Sequence, residues 1–317
     1  MQEVAATFLY TKVVQQERAQ DPSTASPQMR TQRCSGCGAS LSVPAHLLST
    51  QCTYCESPVV EVENATLGVD SVVPFVISAQ AASAKINEWL RDHRWAPNEV
   101  RRLGHDARAL RPIYVPHSVY AGEVRARYHA RIGIVYTKTI RRGKKTTTVI
   151  KTDWHSLRGT YGRSFEGHLV SASQGLLEAT SNQLEPFDLG MKQPFDPRLV
   201  AGIEAELPTH ASGITDQVLV DELKHVTQAE ILHDFLPGEQ QELRDLTVSA
   251  TIATRSITAL PIWLATFHHD GAVHHCFVNG QTGAVVGEVP KSTAKIVVTI
   301  LIVAAVLFGA WALWGAR

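Results

Sequence analysis

Two short cysteine motifs, Cys34-Ser-Gly-Cys37 and Cys52-Thr-Tyr-Cys55, are separated by 14 residues and constrain this chain more than any other feature. Each motif can form a knuckle that aims two thiolates at one point, and a hairpin between them brings the knuckles together. Four thiolates in a tetrahedron suit Zn²⁺ and leave no position open for water. Such a closed site is structural, because zinc catalysis needs an exchangeable ligand. Gly36 and Gly38 permit the tight turn at the first knuckle. A unit this small cannot bury enough core to fold alone, so a zinc ribbon over residues 34–60 is expected to fold on its metal. Two disulfides or an iron–sulfur centre are the competing readings of the same cysteines.

The ribbon has little with which to hold a polyanion. Between Cys34 and Cys55 there is no Lys or Arg, one aromatic (Tyr54) and one histidine (His46). Nucleic-acid binding wants clustered basic residues and stacking aromatics. Protein contact, or a purely structural role, is the expectation.

Residues 296–316 read IVVTILIVAAVLFGAWALWGA, without a charge. A helix of this length spans roughly 31 Å, close to a hydrocarbon core of about 30 Å. The sequence therefore predicts a single C-terminal transmembrane helix. No signal peptide is recognisable at the N-terminus, so the body is expected to stay cytoplasmic at the inner membrane, in a reducing compartment that favours thiolates over disulfides. Ala305, Gly309, Ala312 and Ala316 line one face of that helix with small residues, a pattern suited to self-association.

Between ribbon and tail the chain reads as one α+β body rich in antiparallel strands, over residues 70–290. Residues 1–33 read as an N-terminal segment ending in a Pro/Ser/Thr-rich linker. Helices are expected over residues 81–94 with Ser78 as N-cap, from Pro97 to about Leu103, over 167–184, and from 197 to about 232 with a break near Pro208. Strands of period two run on from Pro112, and residues 132–140 and 146–154 form a hairpin. Its tip carries Arg141, Arg142, Lys144 and Lys145 around Gly143. These charges solubilise an edge, or contact anionic lipid head groups. The tip is not a phosphate-cradling loop, since Lys138 stands where its first glycine belongs and Lys145 where Ser or Thr belongs.

Residues 267–276 hold His268, His269, His274, His275 and Cys276. A two-residue Asp270-Gly271 turn pairs 268 with 273 and puts His268 and His275 diagonally on one face. That pattern admits a second metal site or a Cys–His nucleophile, but half-exposed strand residues around a buried cysteine are the main expectation. No GxSxG, HExxH or SxxK motif is present. Lys plus Arg and Asp plus Glu are both 30, so no global charge points to nucleic acid.

The two CxxC motifs resemble a family of bacterial membrane proteins with an N-terminal zinc ribbon, often labelled as replication-restart (primosomal) helicase-like. The resemblance also runs through Pro74-Phe75-Val76-Ile77-Ser78, Leu110 to Pro116, Leu184 to Leu189, Leu260-Pro261-Ile262-Trp263 and Val278 to Gly283. It departs from the family at Glu56, where a glycine often follows the last cysteine. The motor motifs of a helicase are missing. The resemblance implies membrane anchoring of partner proteins, in envelope stress or upkeep. The reading from sequence is a non-enzymatic, tail-anchored zinc-ribbon adaptor that binds protein partners at the membrane. A membrane-tethered nucleic-acid-binding regulator, and a hydrolase using the cluster near 268–276, are the alternatives.

Overall fold

The ribbon consists of two antiparallel hairpins, each closed by one cysteine knuckle. Strands β1 (Met29–Arg33) and β2 (Ser40–Pro44) pair from Met29↔Pro44 to Arg33↔Ser40. Alternation in β2 turns Leu41 and Val43 inward, where they join Cys34, Leu47, Cys52 and Val59 in a small core. Strands β3 (Leu47–Gln51) and β4 (Pro58–Val60) form the second hairpin. The ribbon thus begins at Met29, inside the stretch expected to be a linker.

The computed structural model describes residues 28–60, 68–93, 95–97, 101, 106–142, 145–287, 289, 292, 299, 301–304, 306 and 307. After β4 come β5 (Ser71–Val72), α1 (Ala79–Trp89), β6 (Leu110–Arg142) and β7 (Lys145–Ser171). They are followed by α2 (Glu178–Leu184), β8 (Gln193–Pro194), β9 (Glu204–Glu206) and α3 (Ser212–Glu230). Strands β10 (Gln240–His269), β11 (Ala272–Asn279) and β12 (Val285–Gly287) complete the order. What reads in sequence as one body divides into two compact units. The first comprises Met1–Pro116, Ser173–Thr209 and Thr258–Arg317, and the second His117–Ala172 and His210–Ile257.

In the first unit the ribbon is part of the sheet. Strand β3 pairs with β9 (Leu47↔Glu206, Ser49↔Ala205), and β9 runs parallel to β6 (Ile113↔Glu204, Tyr114↔Ala205). Side chains reinforce the join: Ser49 Oγ donates to the Val200 carbonyl at 2.9 Å, and Gln51 Nε2 to that of Gly202 at 2.9 Å. Elsewhere in the unit, Ser78 caps α1 by accepting the Ala81 amide. The apolar stripe Ala82, Ile86 and Leu90 then packs on Ala265, Phe267, Cys276 and Val278 of the β10–β11 hairpin.

The second unit is built on one long hairpin. Strands β6 and β7 pair from His117↔Ser171 to Arg142↔Lys145, well beyond the 132–154 hairpin expected from alternation. Helix α3 lays Thr215, Leu219, Leu223 and Thr227 inward, and Leu219 and Leu223 cluster with Tyr120, Val124, Phe165 and Val170. Polar contacts border this apolar seam. Tyr120 Oη donates to Asp216 at 2.7 Å, His168 pairs with Glu222 at 2.8 Å, and Arg163 pairs with Glu230 at 3.1 Å. Gly122 is required by close approach, since a Cβ there would sit 2.1 Å from the Thr251 carbonyl oxygen.

Several expectations are corrected. The stretch 167–184 is not one helix: β7 continues to Ser171, and only Glu178–Leu184 is helical. The long helix from 197 shrinks to Ser212–Glu230, because residues 204–206 are recruited as a strand between β3 and β6. The helix expected from Pro97 falls largely outside the described residues. The expected α+β body with a transmembrane helix gives way to a strand-dominated architecture, and no described helix is long and apolar enough to cross a membrane. Of residues 296–316 only 299, 301–304, 306 and 307 are described; Ala305, Gly309, Ala312 and Ala316 lie outside them. Placement in the inner membrane, with a cytoplasmic body, rested on that span and is withdrawn with it.

Candidate metal centre

The four cysteines come together where the turns of the two ribbon hairpins meet. Cys34 Sγ lies 3.6 Å from Cys55 Sγ, and Cys37 Sγ lies 3.8 Å from Cys52 Sγ. All four sulfurs fall within 4.8 Å of one another. A disulfide would need about 2.05 Å, so these are free thiols. Four sulfurs around one tetrahedral ion, at metal–sulfur bonds of about 2.3 Å, would be about 3.8 Å apart. The observed spacings match that edge, so Cys34, Cys37, Cys52 and Cys55 could hold one metal ion.

The knuckles repeat each other. Gly38 N donates to Cys34 O at 2.9 Å, and Glu56 N donates to Cys52 O at 2.9 Å. Cys34 N is bonded to Ala39 O, and Cys52 N to Ser57 O. The Tyr54 amide approaches Cys52 Sγ at 3.5 Å, which supports negative charge on sulfur. Hydrogen bonds with the Ser57 side chain, and then its backbone, hold the Cys55 thiol down at about 6. Cys34 and Cys52 are buried in the ribbon core, while Cys37 and Cys55 are exposed. Tyr54, on the second knuckle, is 74% exposed.

The histidine cluster does not converge. Pairing of β10 and β11 aligns Thr266↔His275, Phe267↔His274 and Ala265↔Cys276, so His275 and Cys276 point to opposite faces. His274 stacks on Phe267 at 5.2 Å, His275 Nδ1 meets Thr266 Oγ1 at 3.3 Å, and His269 lies 3.4 Å from Asp270. His268 is exposed. Cys276 is buried against α1, and burial pushes its thiol up to about 12. Burial lowers the pKa of His275. Among the described residues only the four ribbon cysteines gather as a metal-ligating group.

The motifs that carry the family resemblance meet in packing. Asn279 is fully buried; its Nδ2 donates to the carbonyls of Leu184 and Pro186, and its Oδ1 accepts the amides of Gln281 and Thr282. Trp263 Nε1 donates to Ile77 O at 3.2 Å, and Val76 N to Gly280 O at 2.9 Å. A Cβ on Gly280 would lie 2.7 Å from Phe75, which explains that glycine. Sequence reading missed these structural roles, although an Asn immediately before Gly280 was a legible turn signal. At the basic tip, Arg141 is exposed; the side chains of Arg142, Lys144 and Lys145 lie outside the described residues.

No family model matches the chain, and no solved structure matches it. It is similar to an uncharacterised Bacillus subtilis (strain 168) protein, YdjG, with 22% identity over 229 residues. That alignment spans 71% of this chain and 64% of the relative, less than two thirds of its length.

Proposed function

We propose that the protein is a non-catalytic binding module in which Cys34, Cys37, Cys52 and Cys55 hold a structural Zn²⁺. The observation that carries this reading is the closed set of four sulfurs at tetrahedral spacing. Zinc is favoured over softer or redox-active ions because an all-thiolate tetrahedral cage is among its commonest structural sites. Four protein ligands leave no position for water or substrate, so the ion organises a surface and performs no chemistry. The surface has an anchor of the kind that protein partners use: Tyr54, 74% exposed on a rigid knuckle. The absence of Lys and Arg between Cys34 and Cys55 supports a protein partner over nucleic acid at this site.

A hydrolase at residues 268–276 is disfavoured by the opposed faces of His275 and Cys276 and by the raised Cys276 thiol.

Elemental analysis of the full chain tests the metal, with one zinc per chain expected. Cobalt substitution should give the visible absorption of a tetrahedral four-thiolate site. Partner recovery with the Tyr54→Ala chain tests the surface. Full metal content with unchanged recovery would leave the ribbon purely structural and sink the binding reading.

A further inference from the structure

The distal half of the β6–β7 hairpin stands apart in both structure and charge. Strand β10 begins at Gln240, beside Gly133, where a Cβ would approach the Gln240 side chain at 3.1 Å. Beyond that point β6 has β7 as its described neighbour, and β7 pairs with no described strand except β6. Residues 134–142 and 145–154 therefore form a two-stranded arm, and such an arm is marginally stable in water. It nevertheless exposes Ile134 (53%), Tyr136, Ile140, Ile150 (74%) and Trp154. Residues 131–154 carry seven basic side chains and one acidic one, in a chain whose net charge is zero.

Register sorts these side chains onto two faces. One face carries Tyr136 opposite Lys151, Lys138 opposite Val149, and Ile134 opposite Asp153. The other carries Thr137 opposite Ile150, Thr139 opposite Thr148, and Val135 opposite Thr152. The first face is apolar and basic apart from Asp153; the second is mostly β-branched, with Trp154 at its base and Arg141 near the turn.

We propose that the open edge of β7 over residues 146–154 accepts a strand from a partner protein, an extended segment in which acidic and apolar residues alternate. Backbone pairing with β7 supplies register-independent affinity, and side-chain alternation supplies selectivity. One acidic side chain of the added strand falls beside Lys151 and apolar ones beside Ile150 on the opposite face, while Asp153 ends the stretch that favours acid. The other occupants fit less well. Two arms of this chain would each bring a net positive charge, seven basic side chains against one acidic over residues 131–154, to the pairing. A bilayer interior cannot satisfy an open strand edge, and the sequence at the tip, Arg141-Arg142-Gly143-Lys144-Lys145, is fully polar. A nucleic-acid groove would leave the exposed isoleucines without apolar partners. The arm belongs to the second unit and the cysteine cluster to the first.

The test uses the full metal-loaded chain and a fluorescent ten-residue peptide of alternating Glu and Val. Saturable binding is expected, together with slowed amide exchange across residues 146–154. The double variant Lys138→Glu/Lys151→Glu should weaken binding by about tenfold or more, because like charges then face each other. A peptide of the same composition with Glu and Val in separate blocks should bind far more weakly. The Tyr54→Ala chain should bind the alternating peptide unchanged, which separates the arm from the ribbon surface. Equal binding of the blocked peptide, or unchanged exchange at 146–154, would overturn the proposal. So would preferential binding of a twenty-base-pair DNA duplex or of phosphatidylserine vesicles, or a dimer lost on charge reversal.

Discussion

Glu56 occupies the position in the second knuckle that Gly38 occupies in the first. Both backbones are left-handed, with φ of 60° at Glu56 and 74° at Gly38. Each donates its amide to the carbonyl of the cysteine four residues earlier. The second knuckle therefore keeps its shape with a residue that resists it. For a residue with a Cβ, this conformation costs roughly 1–2 kcal/mol.

Glu56→Gly should relieve that strain. The expected gain is about 1 kcal/mol in unfolding free energy of the metal-loaded chain, partly offset by the entropy of the unfolded glycine. Denaturant titration checks it. A loss of stability would mean that the Glu56 side chain contributes something beyond backbone geometry.

Gly36→Ala should act in the opposite direction. A Cβ at that position would lie 2.5 Å from Ser57 Oγ and 3.0 Å from Ser57 Cβ, so the two knuckles must separate. We expect about tenfold or greater loss of metal affinity, since displaced ligands cannot complete the tetrahedron. Adding Ser57→Gly should restore part of the loss, read by competition with a chromogenic chelator.

Thiol counting separates the ribbon from the fifth cysteine. In the metal-loaded native chain no cysteine should react quickly with a disulfide reagent. Chelation should release Cys34, Cys37, Cys52 and Cys55 together and unfold the core they share with Leu41, Val43 and Val59. Cys276, buried with its thiol pushed up to about 12, should react only on global denaturation. Protons compete with metal for thiolates, so metal should be retained at neutral pH and lost as pH falls through about 5.

Glu206 gives a pH dependence of its own. Burial raises its pKa; the Ser173 hydroxyl, which donates to its carboxylate, and the charge of His46 act in the opposite direction. An acid with a raised folded pKa binds more protons folded than unfolded. Its contribution to stability is therefore greatest in acid and declines as pH rises from the unfolded carboxylate range through the folded pKa. Glu206→Gln should flatten that decline and be the more stable variant at neutral pH relative to pH 4. Parallel urea titrations at the two pH values decide it; parallel curves would mean that Glu206 is effectively solvated.

Local signals were legible where a few neighbouring residues fix the geometry. The CxxC spacing was enough to locate the four-cysteine cluster, and the Asp270-Gly271 turn was enough to set the pairing of His268 with Val273. Ser78 declared the start of α1. Long-range pairing was illegible. Nothing in Glu204–Glu206 announces a strand, because its neighbours β3 and β6 come from segments about ninety to one hundred and sixty residues earlier. The extent of the long hairpin was hidden for a related reason: β7 past residue 154 mixes glycine, arginine and serine, and only its partner β6 makes it a strand. The histidines at 268–275 looked like a site because sequence shows proximity but not opposed faces.

The join between β3 and β9 also sets an order of assembly. During synthesis the four cysteines have all emerged long before Glu204, so metal can close the ribbon while its place in the sheet does not yet exist. Until then β3 presents an unsatisfied flank, the kind of transient edge that invites mispairing. A ribbon already stiffened by its ion would hold that flank in register and wait for the later strand. Metal shortage during translation should therefore do its damage by misassembly, in chains that would be stable had they been finished first.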